Sequence, residues 1–476
     1  MGARVPEPAV SVEQARRAGG PAGVDVAANA DASVAGLREA QPPARGAGGA
    51  RGARGAQGGG LRRNRDFLLL WAGEAASVTG AGMTSVLLPL VAVSLLDASP
   101  TWMGVIAAAT WLPWLVVGLP IGAWVDGRSP RAVMIGANSV STAAYASVPV
   151  AAAFGVLSLW QLVVVALVVG TATIAFRSAY TKLLVRIVPE RDRPVANSLL
   201  FGTENAANTV GPGLGGLVGQ LVGPVRGMLG EAIGLAISVV CLVLMRPQPP
   251  ATAPQTEPLR ASVRSGLRLV FGDRRLRFFA VQGAVANFGL IGQQAVLVLW
   301  LSRDLRLDPA VIGIVFAVSS IGGVVGALAA PALGRLLGDA RGVSITLTVA
   351  GLMLPLLAFA QPGPVLWIVV SANAVAVAGI VAANVLRRTW VQSYVPEHML
   401  ARQATSAQLV NFAGMPIAGV LAGLLAEQWG PAPVIFAMGV VALLANAASW
   451  LQPWLRRRDL PRPIRAGRGA AAAEQE

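Results

Sequence analysis

The residues that decide the fold are 188–224, VPERDRPVANSLLFGTENAANTVGPGLGGLVGQLVGP. A charged turn opens the stretch, and Pro194 begins a long apolar segment, where its missing N–H costs nothing in a first helical turn. Gly211, Gly215, Gly219 and Gly223 recur every fourth residue, a spacing that lines them along one helical face. In lipid such a small-residue face lets a second backbone approach closely, and helices associate through it. Asn197, Glu204 and Asn208 fall on roughly the same face, so the stripe is polar as well as narrow. A second copy runs through residues 395–431, VPEHMLARQATSAQLVNFAGMPIAGVLAGLLAEQWGP. Pro189 pairs with Pro396 and Pro224 with Pro431 at one offset (396 − 189 = 431 − 224 = 207). At that offset Gly211, Gly215 and Gly219 become Ala418, Ala422 and Ala426, Glu190 becomes Glu397, and Glu204 becomes Asn411. A repeat of about 200 residues in an apolar chain is the mark of a transporter built from two parallel halves.

Composition agrees with a membrane location. Of 476 residues 54% are hydrophobic and only 13% charged, against about 25% charged in soluble domains. A single cysteine, Cys241, and a single histidine, His398, exclude a disulfide framework and a Cys/His metal site, so neither metal nor cofactor is expected. The net charge of +15 could suggest nucleic acid. The basic residues sit in tails and connections, however, without interleaved aromatics for base stacking, so no nucleic-acid partner is expected. Lys182 is the only lysine and no phosphate-cradling Gly-x-x-x-x-Gly-Lys loop exists, which argues against ATP hydrolysis.

Residues 1–60 are rich in Ala, Gly and Arg and read as a disordered cytoplasmic tail, because they hold too little apolar surface to offset ordering. No signal peptide is evident, since no apolar core follows until Phe67. About twelve apolar segments approach the roughly 20 residues that span hydrocarbon. They cover approximately 67–95, 101–124, 132–154, 157–181, 195–222, 225–245, 277–301, 309–333, 343–361, 364–386, 403–427 and 431–452. Connections after the second, fourth, eighth and tenth carry Arg128 and Arg131; Lys182, Arg186, Arg191 and Arg193; Arg335 and Arg341; Arg387, Arg388 and Arg402. The opposite side holds Arg226, Arg303 and Arg306, so the positive-inside rule places both termini in the cytoplasm of a multi-pass cell-membrane protein. The expected fold is an all-α integral membrane protein of twelve helices in two six-helix bundles related by pseudo-two-fold symmetry. The bundles are 61–245 and 277–455, and a basic tail occupies 456–476. Between the bundles, 246–276 is a cytoplasmic linker. In it Leu259, Val263, Leu267 and Val270 oppose Arg260, Arg264 and Arg268, an amphipathic helix suited to lie on headgroups.

Gly118-Leu-Pro-Ile-Gly122-Ala-Trp-Val-Asp126-Gly-Arg128-Ser-Pro-Arg131 closes the second span. Gly118 and Gly122 suit close packing, and Asp126 can pair with the arginines and face a helix N-terminus. Remaking that cluster would bias inward- against outward-open states, the alternative being that the arginines merely set topology. In the second half Gly322, Gly326, Ala330 and Gly334 keep the small face and Arg335 remains. No aspartate stands beside it, so a charge latch is expected in the first half alone.

These motifs identify a resemblance to the major facilitator superfamily across about residues 61–458. Gly122-x-x-x-Asp126-x-Arg128-x-x-Arg131 resembles that superfamily's loop motif between its second and third helices, with Gly127 and Ser129 in place of the more usual Arg and Gly. Gly211-Pro212-Gly213-Leu214-Gly215-Gly216 is similar to the fifth-helix motif of its proton-coupled antiporters. Arg65-Asp-Phe-Leu-Leu-Leu-Trp71-Ala-Gly73 and the Val-Pro-Glu turn resemble the branch of macrolide and enterobactin exporters. The resemblance implies alternating access and secondary active export.

Charges within spans carry the sharpest hypotheses, because an intramembrane carboxylate is expensive. Glu204 lies about ten residues, some 15 Å, into its span, and Glu74 roughly 10 Å into the first. Glu204 could bind and release a coupling proton, form a structural pair with Arg177, or touch substrate. Glu231 reads as interfacial. Asn138, Asn208, Asn287, Gln293, Gln294, Asn373, Asn384, Gln408 and Asn411 are candidates to line the route, or else to bond across helices. Trp71, Trp111, Trp114, Phe288 and Trp300 would suit a large apolar substrate, whereas Trp160, Trp367, Trp429 and Trp450 fit the interfacial belt. Prolines 89, 113, 120, 149, 212, 331, 355 and 416 interrupt spans and would kink helices around a cavity. The function these residues support is a proton-coupled exporter, read as a monomer among membrane lipids, of an amphipathic drug, macrolide or siderophore. The alternatives are an importer or facilitator and, more remotely, a membrane sensor. An enzyme would want clustered His, Cys or carboxylates that the chain does not offer.

Overall fold

The computed structural model describes residue 61 and residues 63–246 and 259–460. Residues 1–60, the proline-rich start of the linker and the basic tail beyond 460 lie outside the described residues. Among the described residues every regular element is helical. The first half of the chain forms α1 (Arg65–Ser94), α2 (Pro100–Val116), α3 (Gly118–Asp126), α4 (Pro130–Ala153), α5 (Leu159–Ile187), α6 (Arg193–Val222), α7 (Pro224–Gly227) and α8 (Leu229–Leu244). The linker helix is α9 (Leu259–Gly272). The second half forms α10 (Arg274–Leu299), α11 (Pro309–Leu337), α12 (Asp339–Met353), α13 (Pro364–Tyr394), α14 (Glu397–Ala413), α15 (Met415–Trp429) and α16 (Pro431–Ala447). A π turn extends α10 to Asp304, and a 3-10 turn extends α12 to Phe359.

Local chemistry sets the boundaries. Proline sits in the first turn of α2, α4, α6, α11, α13 and α16, where it leaves no orphan donor. Asn64 accepts from Phe67 N at the start of α1, and Asp273 from Arg275 N and Leu276 N at the start of α10. Of the interrupting prolines, Pro89, Pro113, Pro149, Pro212 and Pro331 lie inside helices. Pro120 and Pro416 instead follow breaks at Val117 and Gly414, because neither can donate to the carbonyl four residues back.

Among the described residues nine helical stretches are long and apolar enough to cross a membrane by length and composition. The expected second, third and fifth spans fall outside that set for identifiable reasons. The break at Val117 leaves α2 only 17 residues long. The helix α4 carries Asn138, Ser139, Ser141 and Thr142, and α6 carries Asn197, Ser198, Thr203, Glu204, Asn205 and Asn208. The helix that organises the sequence is thus too polar to face lipid all round. It lies packed between α1 and α11.

Neighbour relations repeat between the halves. The helix α1 packs on α6 and α8, and α10 on α15 and α16. The pairs α4–α5 and α4–α8 are matched by α12–α13 and α12–α16, and α2–α5 by α11–α13. Across the halves α6 packs on α11 and α2 on α15. Backbones touch there through glycine: Gly216 lies against Gly313, and Gly104 against Gly423. A Cβ added at Gly313 would come within 2.8 Å of the Gly216 Cα, so no larger residue fits either position without separating the helices.

The apolar core is shared at one end only. Val86 and Leu90 of α1 belong to one buried cluster with Val296, Trp300, Ile312 and Ile435 of the second half. At the arginine-rich end each half keeps its own core, Phe67, Met134, Phe176, Leu183 and Leu242 in the first and Leu276, Phe279, Trp390, Tyr394 and Leu455 in the second.

Several expectations need correction. Gly118 and Gly122 pack against nothing within 4 Å of a would-be Cβ, because α3 diverges after the break and makes its contact with α5. Gly322 and Gly326 in the second half do pack closely, on Ala374 and Ala378 of α13. Gly223 does not extend the small stripe: with φ of 87° it ends α6 in a turn. Lys182, Arg186, Arg387 and Arg388 are not in connections, since α5 and α13 run on to Ile187 and Tyr394. Asp339 opens α12 four residues after Arg335, its carboxylate 2.9 Å from where a Gly334 Cβ would be. On the linker helix, Gly266 and Val270 are buried in protein, Gly266 against Arg402 and Ser406 of α14.

Candidate functional site

The α5–α6 hairpin brings the intramembrane charges together by simple counting. Arg177 stands ten residues before the end of α5, Glu204 eleven after the start of α6, and Glu74 nine after the start of α1. At 1.5 Å per residue all three reach a common depth of roughly 15 Å from one end. The same end is knit by Asn64 Nδ2, which donates to Ile187 O at 2.7 Å. Arg177 Nη2 donates to Glu204 Oε1 at 3.1 Å. Glu74, Arg177, Tyr180, Asn197 and Glu204 line a cavity of about 430 Å³. Within it the Glu74 Oε2 is buried without a hydrogen-bond partner. The pair is not sealed away, for the Arg177 side chain is 57% exposed and that of Glu204 34%.

A second cavity, about 700 Å³, lies in the other half between α10, α13 and α14. Its polar wall consists of amides and arginine. Asn287 Nδ2 donates to Asn411 Oδ1 at 3.2 Å, and Arg387 Nη2 to Asn384 Oδ1 at 2.9 Å. The 207-residue repeat relates the two cavities: Arg177, Tyr180 and Glu204 correspond to Asn384, Arg387 and Asn411. Each triple lines its own cavity, so the fold builds one site twice with different charge.

The remaining sequence candidates divide. Asn287, Asn384, Gln408 and Asn411 line the second cavity. Gln293 is buried and donates to Leu354 O and Ile435 O, and Asn373 donates to Ser319 Oγ, so both tie helices together. Asn138 does the same through Ser238 Oγ at 2.9 Å. Asn208 and Gln294 are exposed. Trp111 and Trp114 pack on Phe412 of α14, with ring centres 5.3 and 5.5 Å apart, and bridge the halves. Trp300 is buried in the shared core, away from both cavities. In the fifth-helix motif Gly211 and Gly215 meet Gly82 and Met83 of α1, Gly216 meets α11, and Pro212 is buried.

Both arginines of the loop motif donate to backbone carbonyls. Arg131 Nε and Nη2 donate to Leu242 O and Val243 O at 2.7 and 2.6 Å, capping the end of α8. Arg128 Nη1 donates to Trp124 O, and its guanidinium carbon sits 3.9 Å from the Trp124 ring centre. The Asp126 side chain lies outside the described residues. Glu231 is not interfacial: it is 3% exposed, held against Gly80 of α1, with the Thr84 hydroxyl donating at 3.5 Å. Sequence reading also missed Gln282, Gln403 and Asn446 of the second cavity, each a lone amide five or more residues from the next along the chain, so spacing carried no signal. No group of three or more His, Cys, Asp or Glu that could hold a metal occurs among the described residues.

A family model described as transmembrane secretion effector, of the major facilitator type, matches residues 61–461. The chain belongs to that family. This transmembrane secretion effector is therefore a multi-pass membrane transporter of the major facilitator superfamily. It is 28% identical over 414 residues to the multidrug efflux pump Tap of Mycolicibacterium fortuitum, covering 84% of this chain and 98% of that one. To Tap of Mycobacterium tuberculosis it is 26% identical over 410 residues, with 84% and 96% covered. Among solved structures, a bacterial homologue of the iron transporter ferroportin in the inward-facing state superposes with a TM-score of 0.68 at 16% identity, covering 83% of this chain and all of that one. The nucleoside transporter NupG gives 0.64 at 14%, covering 81% and 98%. At these identities the likeness is one of fold.

Proposed function

We propose that this protein is a proton-coupled exporter of an amphipathic small molecule, working by alternating access. Twelve crossings form two bundles, 61–245 and 277–455, related by a pseudo-two-fold axis and joined by the 246–276 linker. The repeated neighbour pairs and the repeated cavities support that arrangement. The basic ends face the cytoplasm by the positive-inside rule. The shared core then closes the outer side, and the separate cores leave the inner side open to substrate. The name of the matched relatives, multidrug efflux pump, favours export of a drug over uptake.

The observation that carries the coupling is Glu74 and Glu204 in one cavity with a single arginine between them. One arginine can neutralise one carboxylate, so the second is the economical place for a proton in a membrane interior. A proton on Glu74 leaves Arg177 wholly to Glu204, and its loss sets the two carboxylates in competition for that arginine, which gives two charge states for two conformations. The test is dye efflux from proteoliposomes driven by an imposed proton gradient. Glu204→Gln is expected to lose gradient-driven efflux at least tenfold while still binding dye. Efflux against a dye gradient with unchanged proton dependence in that variant would sink the proposal.

A further inference from the structure

We infer that the second-half cavity is a subsite for an anionic oxygen group, a carboxylate or enolate, on the transported molecule, with Arg387 as its counter-charge. The inference rests on the exporter reading above and names a chemical feature of its substrate.

Among the described residues no carboxylate lines this cavity, and its two cations are Arg387 and the exposed Arg388. Arg387 donates to Asn384 Oδ1 and lies 5.8 Å from the Phe279 ring centre, and no acid among the described residues comes within ion-pair distance of it. A neutral amide and a ring face leave most of the five guanidinium donors unused and the charge unopposed. An arginine held that way inside a cavity is suited to fork onto a planar carboxylate. Gly283 leaves the room for it: a methyl there would lie 2.5 Å from Asn411 Oδ1 and 3.4 Å from Arg387 Nη1.

A second observation points to a ligand in the same place. Gln282, 5% exposed, donates Nε2 to Asn446 Oδ1 at 2.7 Å, yet its Oε1 is buried with no partner. A buried orphan acceptor costs free energy unless a donor arrives. A bound acid that also carries a hydroxyl or N–H answers both demands, with oxygen anion to Arg387 and donor to Gln282. The repeat sharpens the contrast, because the equivalent first-half cavity holds two carboxylates and one arginine. The two sites thus present opposite charge to a substrate.

The test uses the full chain purified in lipid nanodiscs and two probes that differ in one charge, dansyl-phenylalanine and its methyl ester, read by fluorescence polarisation. The wild type is expected to bind the acid at least about fivefold more tightly than the ester. In Arg387→Gln that ratio falls to about one while ester binding stays within twofold, which also shows the variant to be folded. Arg387→Lys keeps part of the ratio, and Arg226→Gln, on the opposite end of the molecule, keeps all of it. Equal binding of acid and ester by wild type, binding of neither, equal loss of both in Arg387→Gln, or a ratio that survives that substitution overturns the subsite. If the ratio depends on Arg387 but Glu204→Gln leaves proton-driven efflux intact, the coupling proposal falls and the subsite stands; the reverse pattern removes the subsite alone.

Discussion

Glu231 makes the residue scale concrete. Its carboxylate is buried beside Gly80, a threonine hydroxyl donates to it, and no basic residue among those described pairs with it. A Cβ at Gly80 would meet Glu231 Oε2 at 2.7 Å and the Glu231 Cα at 2.9 Å. Overpacking of this kind costs about 1–3 kcal/mol. Gly80→Ala should therefore lower the melting temperature in detergent, and lower it less in a Glu231→Ala background, where only the backbone contact remains. Equal losses in both backgrounds would mean that the side chain takes no part. Gln293 and Asn411 offer a matched contrast. Both are amides in apolar helices, but Gln293 serves two buried carbonyls and Asn411 lines a cavity. Interhelical bonds in membranes average about 0.6 kcal/mol, so Gln293→Leu should lose about 1 kcal/mol of stability and leave substrate affinity alone. Asn411→Leu should shift affinity and lose only about 0.6 kcal/mol of stability, for its one interhelical bond from Asn287. Dye titration and thermal melting on the same two preparations separate these outcomes. Residue identity could not distinguish the two roles in advance, because a helix apolar all round gives no moment to say which way a lone amide points.

At the scale of elements, two kinds of contact join the halves at the closed end, and their magnitudes differ. Arg303 pairs with Asp97, but Asp97 is 94% exposed, and exposed pairs contribute little. Glycine against glycine between α6 and α11 and between α2 and α15 brings whole backbones into contact. The packing should therefore hold that end shut, with the ion pair secondary. Leu90→Cys, in a protein whose own cysteine is replaced by Cys241→Ala, should resist an aqueous maleimide, since Leu90 is 2% exposed. Adding Gly216→Val should raise its labelling rate severalfold, and adding Asp97→Asn should not. Faster labelling with Asp97→Asn alone would reverse the ranking. The small-xxx-small spacing made these partners of α6 legible in sequence as a close-packing face, though not that it serves α1 with one edge and α11 with the other. The glycines of the loop motif show the limit of such reading: Gly118 and Gly122 have the same spacing and no neighbour, because the helix breaks at Val117 before they can be used.

On the scale of the whole molecule, an all-helical multi-pass membrane chain and its family were readable from hydropathy and short motifs. Helix ends were not, because polar residues past the hydrocarbon can continue a helix as readily as leave it. That error hid Arg387, which reads as a loop residue until α13 is seen to run to Tyr394. It also left Arg177 nearer an end than it is, and with it the reason that three charges share one depth. The Arg131 contact carries a last consequence. By gripping the final carbonyls of α8, it rivets the start of α4 to the end of a helix 111 residues away in sequence. That tie holds α4 and α8 together at this rim, so under the proposed mechanism the two helices would tilt as one unit.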